Sequence, residues 1–189
     1  MTKQFRIGVA EDEPDMREFY EIVIPELGHQ LLWAARSGVG LLKNFEIERP
    51  DLLIVDVQMP FLGGLEAVRR LSCDTVPVIV VSGFHDQQTM AKVDAEQILA
   101  YLVKPIREAD LKTSIMVVMH QFEEFQKLRQ QDTITLATRR VMQLTHVSEQ
   151  QAMHRLNQLM IKEKRTLVEV SETILGAIDY VDDGKTSHV

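Results

Sequence analysis

Short apolar runs of strand length alternate with amphipathic stretches of helix length over the first 120 residues of the chain. The apolar runs predict five strands, at residues 5–10, 30–35, 52–55, 77–81 and 98–103. Apolar positions that recur every three to four residues predict helices between them. These helices lie at residues 16–24, 37–46, 65–71 and 87–96. Strands that alternate with helices favour a parallel sheet with right-handed crossovers, so an α/β fold is expected here.

The third apolar run, LLIV at residues 52–55, has no polar position and is typical of a strand covered by helices on both faces. Asp56 follows it directly, ahead of a loop rich in proline and glycine. The carboxyl edge of a doubly wound sheet is where such folds bind ligands. Asp56 therefore either takes part in chemistry or only hydrogen-bonds the turn, and the other strand ends must decide between these interpretations.

Polar residues also follow three other predicted strands. Glu11 and Asp12 end the first strand, Ser82 ends the fourth and Lys104 ends the fifth. If the strands are parallel, all of these side chains lie with Asp56 at one edge. Carboxylates suit Mg²⁺, one carboxylate can act as a nucleophile, and a hydroxyl and an ammonium can contact phosphoryl oxygens. The alternative interpretation of the acids is a favourable interaction with the dipole of the following helix.

This pattern resembles the receiver domain of two-component response regulators, over about residues 3–120. The residues that carry the resemblance are the acidic pair Glu11 and Asp12, Asp56 within D-x-x-M-P, Ser82, Tyr101, and the pair Lys104 and Pro105. The resemblance implies a flavodoxin-like, doubly wound, five-stranded parallel sheet in the order 2-1-3-4-5. A receiver that kept the fold but lost the chemistry is the alternative.

The same resemblance implies a set of roles for these residues. Asp56 is expected to accept a phosphoryl group from a sensor histidine kinase or a phosphotransfer protein, with Lys104 and Ser82 assisting. Mg²⁺ is expected on Glu11, Asp12 and Asp56, and Ser82 with Tyr101 is expected to form the switch. No enzymatic activity is expected beyond the protein's own phosphoryl transfer and dephosphorylation.

After the receiver the pattern indicates helices only. Residues 107–144 contain no glycine or proline, and a continuous helix there would be about 55 Å long. Its apolar positions Ile115, Val118, Phe122 and Phe125 follow a spacing of three or four residues. An exposed seam of this kind predicts a short coiled coil and a homodimer. The alternative is that the helix packs on the chain's own C-terminal helices.

Two capping boxes predict the start of two more helices, SEQQ at residues 148–151 and TLVE at residues 166–169. With the end of the long helix they predict a small three-helix all-α output domain. The expected boundaries are a receiver at residues 3–120, a helical or coiled-coil linker at 121–135, the output domain at 136–181 and a flexible tail at 182–189.

The output segment has the residues Ala137 through Met142, an S-E-x-x-A start of its second helix and a closing L-x-E-V-x-x-x-I. It resembles the ANTAR domain, an RNA-binding antiterminator module often fused to receivers. Arg139 stands where that family usually has glycine, and Met153 where it usually has an aromatic residue. The resemblance implies binding to RNA hairpin loops and control of transcription antitermination. The alternative is a helical tail that has lost RNA binding and contacts a protein partner.

Charge is distributed unevenly along the chain, whose formal net charge is -7. Residues 127–165 hold 8 basic and 3 acidic residues, a local charge of +5. Such a patch could meet an anionic partner, or it could be an ordinary solvated helix face. The candidate RNA contacts within it are Arg139, Arg140, Arg155, Lys162, Lys164 and Arg165.

Cys73 is the only cysteine, which excludes a disulfide framework and a cysteine metal cluster. The N-terminal sequence does not have the pattern of a signal or transit peptide, and no apolar run approaches bilayer length. We therefore expect a cytoplasmic protein that makes no contact with a membrane.

Overall fold

The computed structural model describes residues 3–71, 76–83 and 98–183, with side chains described up to residue 177. The chain divides into two compact units, Met1–Phe122 and Glu123–Val189. The first is an α/β unit and the second is helical. Each unit is described by itself below.

The first unit contains a five-stranded sheet in which every neighbouring pair of strands is parallel. Its strands are β1 (Arg6–Ala10), β2 (Gln30–Ala35), β3 (Leu52–Asp56), β4 (Val78–Ser82) and β5 (Ile98–Val103). They lie in the order β2-β1-β3-β4-β5. The predicted flavodoxin-like sheet and its strand order are confirmed.

The described helices of this unit follow the strands as predicted. They are α1 (Pro14–Glu26), α2 (Gly38–Ile47), α3 (Gly64–Arg70) and α4 (Glu108–Thr145), the last of which continues into the second unit. The helix predicted at residues 87–96 lies outside the described residues. Gly28 ends α1 with φ +85°, a left-handed conformation that glycine adopts without strain. Among the described helices, none is long and apolar enough to cross a membrane.

Each face of the sheet is covered by a hydrophobic core, as the unbroken apolar run of β3 predicts. Leu52 and Ile54 join a core on the face that packs against α1 and α4, while Leu53 and Val55 join a core on the face that packs against α2 and α3. Both cores are closed to solvent. The strand therefore meets solvent only at its ends, and Asp56 lies at its carboxyl end.

The predicted coiled-coil seam on α4 needs a correction. Ile115 and Val118 are each 0% exposed and belong to the core between α4 and the sheet. An apolar side chain already buried in its own fold is not available to a second chain. Of the remaining predicted positions, Phe122 is half-buried and Phe125 is exposed. The seam therefore cannot begin at Ile115.

The second unit consists of the end of α4 with α5 (Glu149–Glu163) and α6 (Leu167–Asp183). Both predicted capping boxes are present. The hydroxyl of Ser148 accepts from the Gln151 amide at 3.3 Å, and the hydroxyl of Thr166 accepts from the Glu169 amide at 3.2 Å. The Gln151 and Glu169 side chains accept from the Ser148 and Thr166 amides in return. The three helices share a small core around Ala137, Leu156 and Val170.

Candidate functional site

Asp56 ends β3 and is held in place by the loop that follows it. Its side chain is buried, and its Oδ1 accepts a hydrogen bond from the Gln58 amide at 3.1 Å. Gly64, where α3 begins, packs so closely that a Cβ there would lie 1.9 Å from the Asp56 carbonyl oxygen. The amide of Gly64 donates to the carbonyl of Val57 at 3.1 Å, which closes the loop. The position of the carboxylate is therefore fixed by backbone contacts at both ends of the loop.

Two more carboxylates reach Asp56 from the end of β1. Glu11 is 1% exposed and Asp12 is half-buried, and each of the three acids offers an oxygen within 4.8 Å of the others. Arg17 positions the segment that carries them. Its Nη1 donates to the carbonyl oxygens of Glu11 at 2.9 Å and Asp12 at 2.5 Å. The parallel sheet thus brings together the three acids that were predicted to bind a metal.

Lys104 lies at the end of β5, before a cis peptide bond to Pro105. Its Nζ is 2.7 Å from Asp56 Oδ2 and 3.0 Å from Glu11 Oε1. It also donates to Glu13 Oε1 at 2.7 Å. One ammonium thus bonds three carboxylates, but its single positive charge offsets only part of the negative charge that gathers at this edge of the sheet.

Burial and neighbouring charges shift the pKa values of Glu11 and Lys104 at this edge. Burial, followed by the negative charge of Asp56, raises the pKa of Glu11 from 4.5 to about 7, although Lys104 acts in the opposite direction. Burial by itself would lower the pKa of Lys104, but hydrogen bonds to Asp56, Glu13 and Glu11 raise it well above its usual value. Lys104 therefore stays charged at physiological pH, while Glu11 can take up a proton near neutrality.

The acids fit a hard divalent cation. Glu11 Oε2 is buried and, among the described residues, has no hydrogen-bond partner. It lies 3.0 Å from Lys104 Nζ, but the ammonium donates to the other oxygen of this carboxylate. Buried acceptors are normally satisfied, and Mg²⁺ prefers carboxylate oxygens. Glu11, Asp12 and Asp56 are therefore suited to Mg²⁺ by donor type, spacing and an unsatisfied oxygen.

The two predicted switch residues lie on neighbouring strands of the same sheet. Ser82 ends β4 and is fully buried, and its carbonyl accepts from the Lys104 amide at 2.9 Å. Tyr101 lies on β5 opposite Val80 and is 41% exposed. Burial of its inner part raises the pKa of its hydroxyl. Ser82 is thus at the same edge as the acids, whereas Tyr101 lies within its strand.

Two residues of the site were not predicted from the sequence. Glu13 is the third ligand of the Lys104 ammonium, and Arg17 holds the acidic segment through its carbonyl oxygens. For Glu13 the signal was the third acid in a row after β1. For Arg17 it was a basic residue one turn into the helix that follows those acids.

The basic residues proposed to contact RNA are mostly on the surface of the second unit. Arg140 is half-buried, and the other five are exposed. Arg155 and Lys162 are seven residues apart on α5, which places them on the same side of that helix. Arg165 has a structural role: it donates to the Thr173 hydroxyl at 2.8 Å and to the Glu169 carbonyl at 3.0 Å. Five of the six side chains are therefore accessible to a partner. One of these five, Arg165, is also hydrogen-bonded to α6.

Comparison with known sequences also identifies a receiver domain in the first unit. The family model described as "Response regulator receiver domain" matches residues 7–116. The transcriptional regulatory protein PdtaR of Mycobacterium tuberculosis is 26% identical over 191 residues, which cover 94% of this chain and 93% of that protein. The similarity to PdtaR therefore extends beyond the receiver into the helical unit.

Solved structures show the same fold for the first unit. The signal receiver domain of a modulated diguanylate cyclase from Desulfovibrio desulfuricans G20 has a TM-score of 0.59 at 24% identity, covering 64% of this chain and 98% of that one. The receiver domain of the sensor histidine kinase PA1611 from Pseudomonas aeruginosa PAO1 has a TM-score of 0.56 at 22% identity, covering 62% and 99%. With the family model matching more than half of its length, the chain belongs to the response regulator receiver domain family.

Proposed function

We propose that the protein accepts a phosphoryl group on Asp56 from the phosphohistidine of a sensor histidine kinase or a phosphotransfer protein. The observation that carries this proposal is the convergence of Glu11, Asp12, Asp56 and Lys104 at one edge of the sheet. Three acids and one ammonium at a strand edge suit a reaction in which an anionic group is transferred between protein side chains. Burial of Asp56 and Glu11 limits the access of bulk water to the reacting carboxylate.

In the proposed reaction an Asp56 carboxylate oxygen attacks the phosphorus atom. The new P–O bond forms as the P–N bond to the donor imidazole breaks, and that imidazole keeps the electron pair of the broken bond. Lys104, already 2.7 Å from Asp56 Oδ2, moves its hydrogen bond to an oxygen of the phosphoryl group. When bound by Glu11, Asp12 and Asp56, Mg²⁺ would supply positive charge to the phosphoryl oxygens.

A second receiver supports the assignment of the metal. The structure of the PA1611 receiver domain contains a magnesium ion coordinated in its active site cleft. The acidic cluster of this chain offers three carboxylates close together, and among the described residues Glu11 Oε2 accepts no hydrogen bond. We propose that Mg²⁺ is the cofactor of this protein.

We propose that Ser82 and Tyr101 change position when Asp56 is phosphorylated. The buried hydroxyl of Ser82 lies at the end of the strand next to Asp56, so it can turn toward a phosphoryl oxygen. Tyr101, half-exposed on the next strand, can then move inward into the space that Ser82 leaves. Two alternative packings of this kind form the bistable element that a switch requires.

Labelling with radioactive acetyl phosphate and Mg²⁺ tests the acceptor. Asp56→Asn should abolish labelling, because an amide oxygen is a poor nucleophile. Asp51→Asn makes the same chemical change at the opposite end of β3 and should be labelled like the parent. Chelation of Mg²⁺ should also abolish labelling. Undiminished labelling of Asp56→Asn would refute this function.

We propose further that phosphorylation controls RNA binding by the helical unit and hence transcription antitermination. PdtaR, a transcriptional regulatory protein, is similar along both units of this chain. The exposed basic residues Arg139, Arg155 and Lys162 can contact phosphates. RNA loops are read through such contacts and through stacking on guanidinium planes. The acidic receiver would repel RNA, so binding would be confined to the second unit.

The affinity for an RNA with two hairpin loops, measured across a salt series, tests this output. Three or four phosphate contacts should give a slope of about -2 to -3 in log affinity against log salt. An Arg139→Ala, Arg140→Ala double variant should lower the affinity and flatten the slope. Lys127→Ala, which removes a residue paired with Glu124, serves as the control. Absence of binding with and without phosphorylation would favour the alternative, a helical tail that contacts a protein partner.

A homodimer through α4 also remains a proposal, with a changed interface. Since Ile115 and Val118 are buried, pairing would have to use exposed apolar residues further along the helix, such as Phe125 and Leu128. Analytical ultracentrifugation of the parent and of a Phe125→Ser, Leu128→Ser variant tests it. A parent that stays monomeric with and without phosphorylation would rule out this dimer.

A further inference from the structure

Phe61 is the most exposed large apolar side chain among the described residues, at 99%, and it lies in the loop between β3 and α3. Its φ is +67°, a left-handed conformation that a bulky residue adopts only under strain. The amide of Leu62 donates to the carbonyl of Pro60 at 2.8 Å, which closes a tight turn around it. Glycine or asparagine would adopt this conformation at a lower cost, so the fold does not explain a phenylalanine here.

The loop holds Phe61 outward in a fixed place. Directly after it, the side chain of Leu62 is buried in the core against α2 and α3, and the Leu62 carbonyl accepts from the Gly38 amide at 3.1 Å. The two ends of the loop are joined by the hydrogen bond from the Gly64 amide to the Val57 carbonyl. Both ends adjoin the backbone of Asp56, so the loop that presents Phe61 begins and ends beside the candidate site.

We propose that Phe61 is the apolar anchor on which a protein phosphodonor docks when it brings its phosphohistidine to Asp56. This inference rests on the proposed acceptor role of Asp56. Because Asp56 is only 4% exposed, the donor imidazole must enter at the sheet edge, and the donor surface around it must cover the adjoining loop. A small donor such as acetyl phosphate needs no such contact.

The physical properties of the loop favour a protein surface as the occupant. An exposed ring on a fixed loop loses little conformational freedom on binding, and aromatic residues of this kind often dominate the affinity of an interface. In the candidate site four carboxylates, Glu11, Asp12, Glu13 and Asp56, outnumber the one ammonium of Lys104, so a nucleic acid would be disfavoured at this edge. An apolar patch beside the phosphohistidine of the donor is the complementary surface.

Phosphoryl transfer with two kinds of donor tests the anchor. The probes are acetyl phosphate with Mg²⁺ and a panel of purified histidine kinase cores labelled on their own histidine. For a kinase that transfers to the parent, Phe61→Gly should lower kcat/KM by about tenfold, through KM, because a central aromatic contact is lost. Labelling by acetyl phosphate should stay within about twofold of the parent. The thermal midpoint of Phe61→Gly should be unchanged or higher, since glycine relieves the strain at φ +67°.

Two further variants test whether the effect requires an aromatic side chain at position 61 and not simply any exposed apolar side chain. Phe61→Trp keeps a large aromatic side chain and should transfer like the parent. Ile47→Ala removes another exposed apolar side chain, 74% exposed, at the end of α2 and hence at the opposite edge of the sheet. It should leave both reactions unchanged.

Several results would overturn the inference. One is transfer from the kinase to Phe61→Gly at the parental rate, and another is an equal loss with acetyl phosphate, which would make Phe61 part of the site itself. Labelling of the parent by acetyl phosphate but by no kinase in the panel would also overturn it. Self-association of the parent that Phe61→Gly abolishes would assign the ring to a second copy of this chain. Failure of acetyl phosphate to label the parent would instead refute the acceptor role of Asp56.

Discussion

The two units of this protein differ in whether their candidate functional charges are buried or exposed to solvent. The receiver unit buries Glu11 and Asp56 and holds Lys104 between them, whereas the helical unit leaves most of its candidate basic residues in solvent. Burying a charge costs several kcal/mol unless it is paired, and even a paired charge seldom stabilises a fold more than apolar residues would. An exposed charge costs almost nothing. The buried cluster therefore points to a function, while the exposed patch is compatible with several.

The same difference separates the backbones of the two units. In the receiver, glycine, an unusual backbone conformation and close contacts all occur around Asp56, as at Gly64 and Phe61. In the helical unit His146 and Lys164 also have positive φ, but each directly follows the end of a helix, α4 or α5, where a left-handed cap is common. Its other informative features are capping boxes and a small core, which any stable three-helix unit needs. Local strain and buried charge concentrate where a reaction takes place. The following predictions test whether that distinction holds.

The largest effect is expected at Gly64. A Cβ there would lie 1.9 Å from the Asp56 carbonyl oxygen, so Gly64→Ala must displace β3 or α3 and should lower the free energy of unfolding by about 3 kcal/mol. Gly63→Ala is the matched control, since its nearest atom would be the Val57 carbonyl oxygen at 3.3 Å. That variant should cost less than about 1 kcal/mol. Urea unfolding measures both, and equal losses would show that the site wall is not tightly packed.

An intermediate effect is expected from the pH dependence of Glu11. Its pKa is about 7 in the folded protein and 4.5 as a free group, so the folded state holds the proton more tightly. The charge of Glu11 therefore costs stability progressively as pH rises from about 4.5 to 7, and the full cost, about 2 to 3 kcal/mol, is present above pH 7. In the metal-free protein, Glu11→Gln should remove most of this decline.

Urea unfolding between pH 5 and pH 8 in the presence of a chelator measures this effect. Glu66→Gln, on the exposed surface of α3, is the control and should follow the parent. Parallel profiles for the parent and Glu11→Gln would show that the buried carboxylate carries no such cost. Mg²⁺ should stabilise the parent more at pH 8 than at pH 6, because at pH 6 it must displace a proton from Glu11.

The smallest effects are expected in the helical unit. Arg165→Ala should lower stability by about 1 kcal/mol, because it loses hydrogen bonds to the Glu169 carbonyl and the Thr173 hydroxyl. Hydrogen exchange at the amides of the first two turns of α6 should rise. Arg155→Ala should change stability by less than about 0.5 kcal/mol, since the side chain is exposed. If RNA binds, Arg155→Ala should instead reduce the salt slope by about 0.7. A stability loss as large as that of Arg165→Ala would show that Arg155 is structural.

The sequence by itself determined the features that depend on local patterns. Apolar runs and their polar ends predicted the parallel sheet and the edge that carries Glu11, Asp56 and Lys104, because each strand of such a sheet ends at the same side. The capping boxes at Ser148 and Thr166 predicted where α5 and α6 begin, because their hydrogen bonds join residues three positions apart.

Only the tertiary structure decided what each of these patterns contacts. The apolar spacing of α4 was correct, but it could not show that Ile115 and Val118 are covered by the sheet and not by a second chain. Nor could the sequence show that Glu13 bonds Lys104 across 91 positions, or that Phe61 is exposed and not in the core. Periodicity specifies which side of an element is apolar. What lies against that side is determined by packing between residues distant in the chain.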